Sequence, residues 1–242
     1  MSHSQQLEIC VDSADGLSLA VAGGADRIEL CSALALGGLT PSMGLMRQAA
    51  LAQVPCHAMI RPAAGDFVLR EGGMEAMLGD ILAANEAGLA GIVIGVMSPD
   101  RKLDAGALSE LIAAAGNMQV TLHRAFDLCR DQFAALDLAI ELGVARVLTS
   151  GGAPSAPEGV SRIAALCNHA AGRIEVMAGG GVGAESAGQL LGAGVDALHA
   201  SCSIADAEQQ DCRGIGIETR RITSPDRIRE LKKTMADWSA AR

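Results

Sequence analysis

Apolar and polar residues alternate along 7–11 (LEICV), 26–31 (DRIELC), 56–61 (CHAMIR) and 118–123 (MQVTLH), the period of two that a strand with one covered face requires. After the first run, Asp12 or Ser13 can cap a helix carrying Leu17, Ala20 and Val21, which Gly23 and Gly24 stop. The same alternation of strand and helix signals continues to the end of the chain. It predicts further strands over 91–96, 146–150, 173–178 and 196–200, and helices over 42–53, 74–86, 104–116, 131–142, 159–171, 185–191 and 225–240. The stretch 91–96 is apolar throughout, as a strand buried on both faces would be. Loops fall at 32–41 and 63–73, and a longer connection, 201–224, is expected to fold over one end of the molecule.

Eight strands alternating with eight helices is the repeat of a (β/α)8 TIM barrel, an α/β fold of about 250 residues. One domain over 1–242 is the expectation. A doubly wound open sheet is the alternative, but its edge strands would be short or charged, and none here is clearly so.

Helices cover the outside of such a barrel, so the apolar parity belongs there: Leu7, Ile9 and Val11, Ile28 and Leu30, Ala58 and Ile60, Val120 and Leu122, Ile174 and Val176. The opposite parity faces the lumen. It carries Glu8 and Cys10, Glu29 and Cys31, Met59 and Arg61, Thr121 and His123, Glu175 and Met177. Branched apolar side chains normally fill that space, so this polarity signals a site, or a salt-bridge network in which Arg61 and Arg124 neutralise Glu8 and Glu29. The fifth run also delivers His123, Arg124 and Asp127 to a strand tip, where active sites of this fold sit.

Cys10 and Cys31 end the first two strands with the same inward parity, and neighbouring strands lie about 4.8 Å apart, so their thiols can meet. Thiolates, joined by the Met59 thioether, are soft ligands suited to Cu(I); two buried thiols in simple contact are the alternative. Glycine-rich tips at 148–152 (LTSGG) and 177–181 (MAGGG) include Gly179 and Gly180 and are able to hold an anion through backbone N–H groups. Tight packing explains such glycines as well.

Composition narrows the partners. A formal charge of -9, with three Phe, one Trp and no Tyr, argues against nucleic acid, which needs a basic face and stacking platforms. The start MSHSQQLEICVD has no basic segment followed by an apolar stretch, and no run reaches a membrane span, so a cytoplasmic location is expected. Seven cysteines without CxxC pairs point to thiols in a reducing compartment. Trp238 near the end of a largely apolar chain is compatible with a homo-oligomer.

LEICVDS at the first strand, GADRIELCSALALGGLTPSMG at the second, IRP with GDF at the third, HRAFD at the fifth, RVLTSGG at the sixth and MAGGGV at the seventh resemble the copper homeostasis protein CutC family in order and over nearly the whole chain. The resemblance implies a TIM barrel, a cytoplasmic location and a Cu(I) site involving Cys10 and Cys31. Ala63, where the family usually carries a basic residue, and Val68-Leu69, where an aromatic is usual, depart from it.

Two functions follow. In the first, Cys10 and Cys31 bind Cu(I) at the C-terminal mouth of the barrel, with His123 and Arg61 as outer groups. In the second, the chain is an enzyme of lyase or isomerase type acting on a small anionic or phosphorylated metabolite. Arg61 and Arg124 would clamp the anion, Glu8, Glu29 or His123 would move a proton, and the tip at 179–181 would hold an oxyanion.

Overall fold

The computed structural model describes residues 5–206 and 220–241. Strands β1 (Gln6–Val11), β2 (Arg27–Leu30), β3 (Cys56–Met59), β4 (Gly91–Ile94), β5 (Gln119–Leu122), β6 (Arg146–Thr149), β7 (Glu175–Gly179) and β8 (Ala197–Ala200) pair in parallel in chain order. Pairing of β8 with β1 closes the barrel. Helices α1 (Ala14–Gly23), α2 (Met43–Ala49), α3 (Gly73–Ala87), α4 (Ala105–Ala115), α5 (Gln132–Glu141), α6 (Val160–Ala170), α7 (Ala184–Gly192) and α8 (Pro225–Ala240) alternate with the strands. Side chains start several of them as the sequence signals suggest: Ser13 accepts from Gly16 N, Asp104 from Ala107 N and Ser224 from Arg227 N.

Two differences are local. Helix α2 stops at Ala49 rather than near residue 53, because tight i to i+3 bonds close its end at Leu51 and Ala52 just before Val54 and Pro55. The connection 201–224 carries a hairpin of β9 (Ser203–Ala205) and β10 (Arg221–Thr223), and the rest of that expected cover lies outside the described residues.

The expected parity is the one observed. Leu7, Ile9, Ile28, Leu30, Ala58, Ile60, Val120, Leu122 and Val176 join one continuous core with the helices. Among the described residues the lumen holds two small apolar clusters, Cys31 with Met59 and Val93, and Leu148 with Met177 and Ala197. Much of the remaining interior is polar or ionisable, and here the expected network needs correcting. Glu8, fully buried, takes its hydrogen bonds from Arg27 Nε and from His199 Nδ1 (2.7 Å). Arg61 and Arg124 do not reach it.

A second buried guanidinium, Arg146, donates to Glu175 (2.6 Å), Gln119 (2.7 Å), Thr121 (3.0 Å) and the ring of His57 (3.3 Å). Both arginines enter from the N-terminal ends of their strands and fill the lower lumen. Removing one partner from this buried plug would strand the other's charge away from water. Burial, reinforced by Arg146 and Arg27 against the pull of Glu8, holds His57 neutral, with its pKa lowered to about 3.

Candidate metal and ligand site at the barrel mouth

Cys10 on β1 is the strand neighbour of Glu29 on β2, and Glu8 on β1 is the neighbour of His199 on β8. All four share inward parity, so closure of the sheet brings Cys10, Glu29 and His199 together above Glu8. Their ligand atoms lie within 4.8 Å of one another, and among the described residues this is the one group of three such side chains able to hold a metal ion. His199 donates Nδ1–H to Glu8, which fixes the ring and turns Nε2 toward Glu29, 3.8 Å away. A carboxylate behind an imidazole is how metal-binding histidines are commonly oriented.

The charges of this group follow from its burial. Burial would raise Glu8, but the His199 hydrogen bond and the Arg27 charge outweigh it and hold the carboxyl below the ordinary range. For Glu29 burial prevails, helped by Glu8 and opposed by His199, and its pKa is raised. Burial works against the His199 imidazolium, yet Glu29, Cys10 and Glu8 together raise its pKa well above the usual value. Glu29 Oε1 is buried with no hydrogen-bond partner, an unusual state for a carboxyl oxygen.

Cys31 stands beside this group, not within it. Its Sγ donates to Glu29 Oε2 at 3.5 Å, and burial, then Glu29 and Cys10, push its thiol well above the usual range. The sulfur packs in the apolar cluster with Met59 and Val93.

At the end of β5, His123 accepts Ala125 N–H at Nδ1 (3.1 Å) and so caps the short 3-10 helix Arg124–Leu128. That leaves Nε2 as the donor, and this atom too is buried without a partner. Burial, then the Arg61 charge, lowers the His123 pKa to about 3. The ring fits because residue 95 is glycine: a Cβ there would stand 2.3 Å from His123 Cε1. Phe67 covers the other side, its ring 4.7 Å from that of His123 and 5.0 Å from the Arg61 guanidinium.

Arg61 donates to the carbonyls of Leu36 (2.9 Å), Gly38 (3.0 Å) and Gly65 (2.9 Å), tying two loops over the mouth. Arg124 is steered by Asp127 (2.8 Å) and Ser150 (2.7 Å). Asp127 also accepts from Ser150 N and Gly152 N, so it buckles the 3-10 helix to the tip of β6 and faces away from the mouth.

A cavity of about 280 Å³ opens at the C-terminal end of the strands. Of the residues singled out by sequence, Cys10, Glu29, Met59, Arg61, His123, Arg124, Gly180 and Gly181 line it. Glu8 lies beneath, Cys31 and Asp127 lie behind, and Gly179 is packed against Leu148. Sequence reading missed His199 and Phe67 in the wall, and Arg27, His57 and Arg146 below. His199 was legible as a polar residue between Leu198 and Ala200, and Arg27 as the residue two before Glu29.

The CutC family profile matches residues 5–204. The family protein CutC of Sinorhizobium medicae is 50% identical over 231 residues, 93% of this chain and 94% of the relative. A solved CutC structure from Streptococcus agalactiae, described as that of a copper homeostasis protein, superposes with a TM-score of 0.78 at 32% identity, over 81% of this chain and 98% of the other. A thiamine phosphate pyrophosphorylase from Pyrococcus furiosus, at 13% identity and a TM-score of 0.62 over 98% of both chains, shares the fold alone. This chain belongs to the CutC family.

Proposed function

We propose that this CutC-family chain binds Cu(I) at the barrel mouth, as a copper-homeostasis protein of the reducing cytoplasm. The observation that carries the reading is the buried trio of Cys10, Glu29 and His199 beside the cavity. A thiolate with an imidazole is a soft set suited to Cu(I), and the carboxylate supplies a third donor. The orphaned Oε1 of Glu29 fits a group that waits for a partner.

Metal uptake displaces protons, because thiolate, neutral imidazole and carboxylate are the ligating forms. His199 would offer Nε2 while Glu8 keeps hold of Nδ1–H. Cys31, the second thiol that sequence pointed to, would need to lose a proton that burial and Glu29 hold in place, so it acts as the neighbour of the metal and Cys10 as its anchor. Arg61 and His123 remain in the outer wall. The described helices include none long and apolar enough to cross a membrane.

Competition between the reduced chain and a colorimetric Cu(I) chelator tests this. Cys10→Ser and His199→Gln are each expected to weaken Cu(I) binding at least tenfold, and Cys31→Ser less. Equal competition by wild type and Cys10→Ser would remove the reading.

A further inference from the structure

The mouth cavity has a second side that copper does not use. Among the described residues the Arg61 guanidinium hydrogen-bonds to three backbone carbonyls and no carboxylate pairs with it. Its Nε is buried with no acceptor. A guanidinium on the wall of a partly desolvated cavity without a counter-charge is costly, and an anion in the cavity removes that cost.

His123 supplies an independent sign. The residue is 4% exposed, it lines the same cavity, and its Nε2–H has no acceptor among the described residues. Arg124 gives a third donor. Nε and Nη2 are engaged by Asp127 and Ser150, which leaves Nη1 standing against Gly180, 2.9 Å from where a Cβ would be. Gly180 has φ +97° as well, so any side chain here would be strained and would push the guanidinium away.

We propose that the cavity binds a small oxyanion, the phosphate or carboxylate group of a metabolite, between Arg61, Arg124 and the Nε2–H of His123. Guanidinium forks and a ring N–H match the geometry of such groups. About 280 Å³ is at the small end of ligand pockets, so the ligand is a short metabolite and not a nucleotide.

The site is independent of copper, and the test keeps it so. Inorganic phosphate and malonate are titrated separately by calorimetry into the metal-stripped, reduced chain at constant ionic strength. One-site binding with a dissociation constant of about 1 mM or tighter is expected for at least one of them. Phosphate alone marks a phosphorylated ligand and malonate alone a carboxylate. Arg61→Gln should weaken binding at least tenfold and Arg61→Lys less, while Arg70→Gln, at an exposed position, should leave it unchanged.

Since Arg61→Gln also removes loop contacts, the wild-type His123 Nε2–H resonance is followed in parallel. It should shift and saturate with the calorimetric constant. Absence of saturable binding to either anion at about 20 mM, an unmoved His123 signal, or undiminished affinity in a folded Arg61→Gln chain would overturn the proposal.

Discussion

Replacing Glu8 by Gln removes one negative charge from the centre of the barrel and leaves the shape almost unchanged. Glu8 is fully buried and serves two cations, Arg27 and His199. His199 can respond by shedding its proton, but Arg27 cannot, and its side chain is only 3% exposed. Truncating one partner of a buried ion pair costs about 3–5 kcal/mol, because the remaining charge is stranded away from water. In a chain of this length that corresponds to a fall in Tm of roughly 6–20 °C, at about 2–4 °C per kcal/mol.

Urea unfolding at pH 7, followed by circular dichroism, reads the loss directly, and Glu8→Gln with Arg27→Met completes the comparison. The double variant should be more stable than the sum of the single effects by at least about 2 kcal/mol, since the stranded cation is gone. A loss in Glu8→Gln below about 1 kcal/mol, or simple additivity, would mean that Arg27 finds other compensation and that the plug is not organised around Glu8.

His57 has its pKa lowered to about 3, so the stability it contributes is complete above the ordinary value of 6.5 and is lost as the pH falls below it. Between pH 7 and pH 5 His57→Gln should therefore lose about 2 kcal/mol less than wild type in urea melts, and identical pH profiles would contradict this. Gly95→Ala would bring a Cβ to 2.3 Å from His123 Cε1, and is expected to destabilise the chain by about 1–3 kcal/mol and to displace the His123 ring resonances. Asp127→Ala leaves Ser150 N and Gly152 N without their acceptor and frees Arg124; thermal unfolding should show a loss of about 2 kcal/mol or more, and a neutral result would show that the buckle at β6 is dispensable.

The inward and outward faces of the strands were legible because a period of two is set by covalent geometry, and the lumen parity read from Leu7, Glu8, Ile9 and Cys10 is the one the barrel adopts. Pairing within the lumen was not legible. Which arginine meets Glu8 depends on which strands become neighbours and at what stagger, and the closing contact of β8 with β1 joins residues 191 positions apart. The same closure adds His199 to Cys10 and Glu29.

Cys10 on β1 and Cys31, one residue past the end of β2, share parity as sequence suggests. Stagger nevertheless puts Cys10 level with Glu29, so the carboxylate takes the place beside the first thiol. Asp127 looked like a ligand-facing residue in the HRAFD stretch, but the 3-10 turn after His123 rotates it toward β6. Such turns leave little trace in a hydrophobic pattern.

X-ray absorption at the copper edge of the reduced chain loaded with one equivalent of Cu(I) tests the metal reading most directly. One sulfur accompanied by nitrogen or oxygen neighbours, with the nitrogen contribution lost in His199→Gln, is the predicted result. A copper bound by two sulfurs alone, or a spectrum unchanged by His199→Gln, would contradict it.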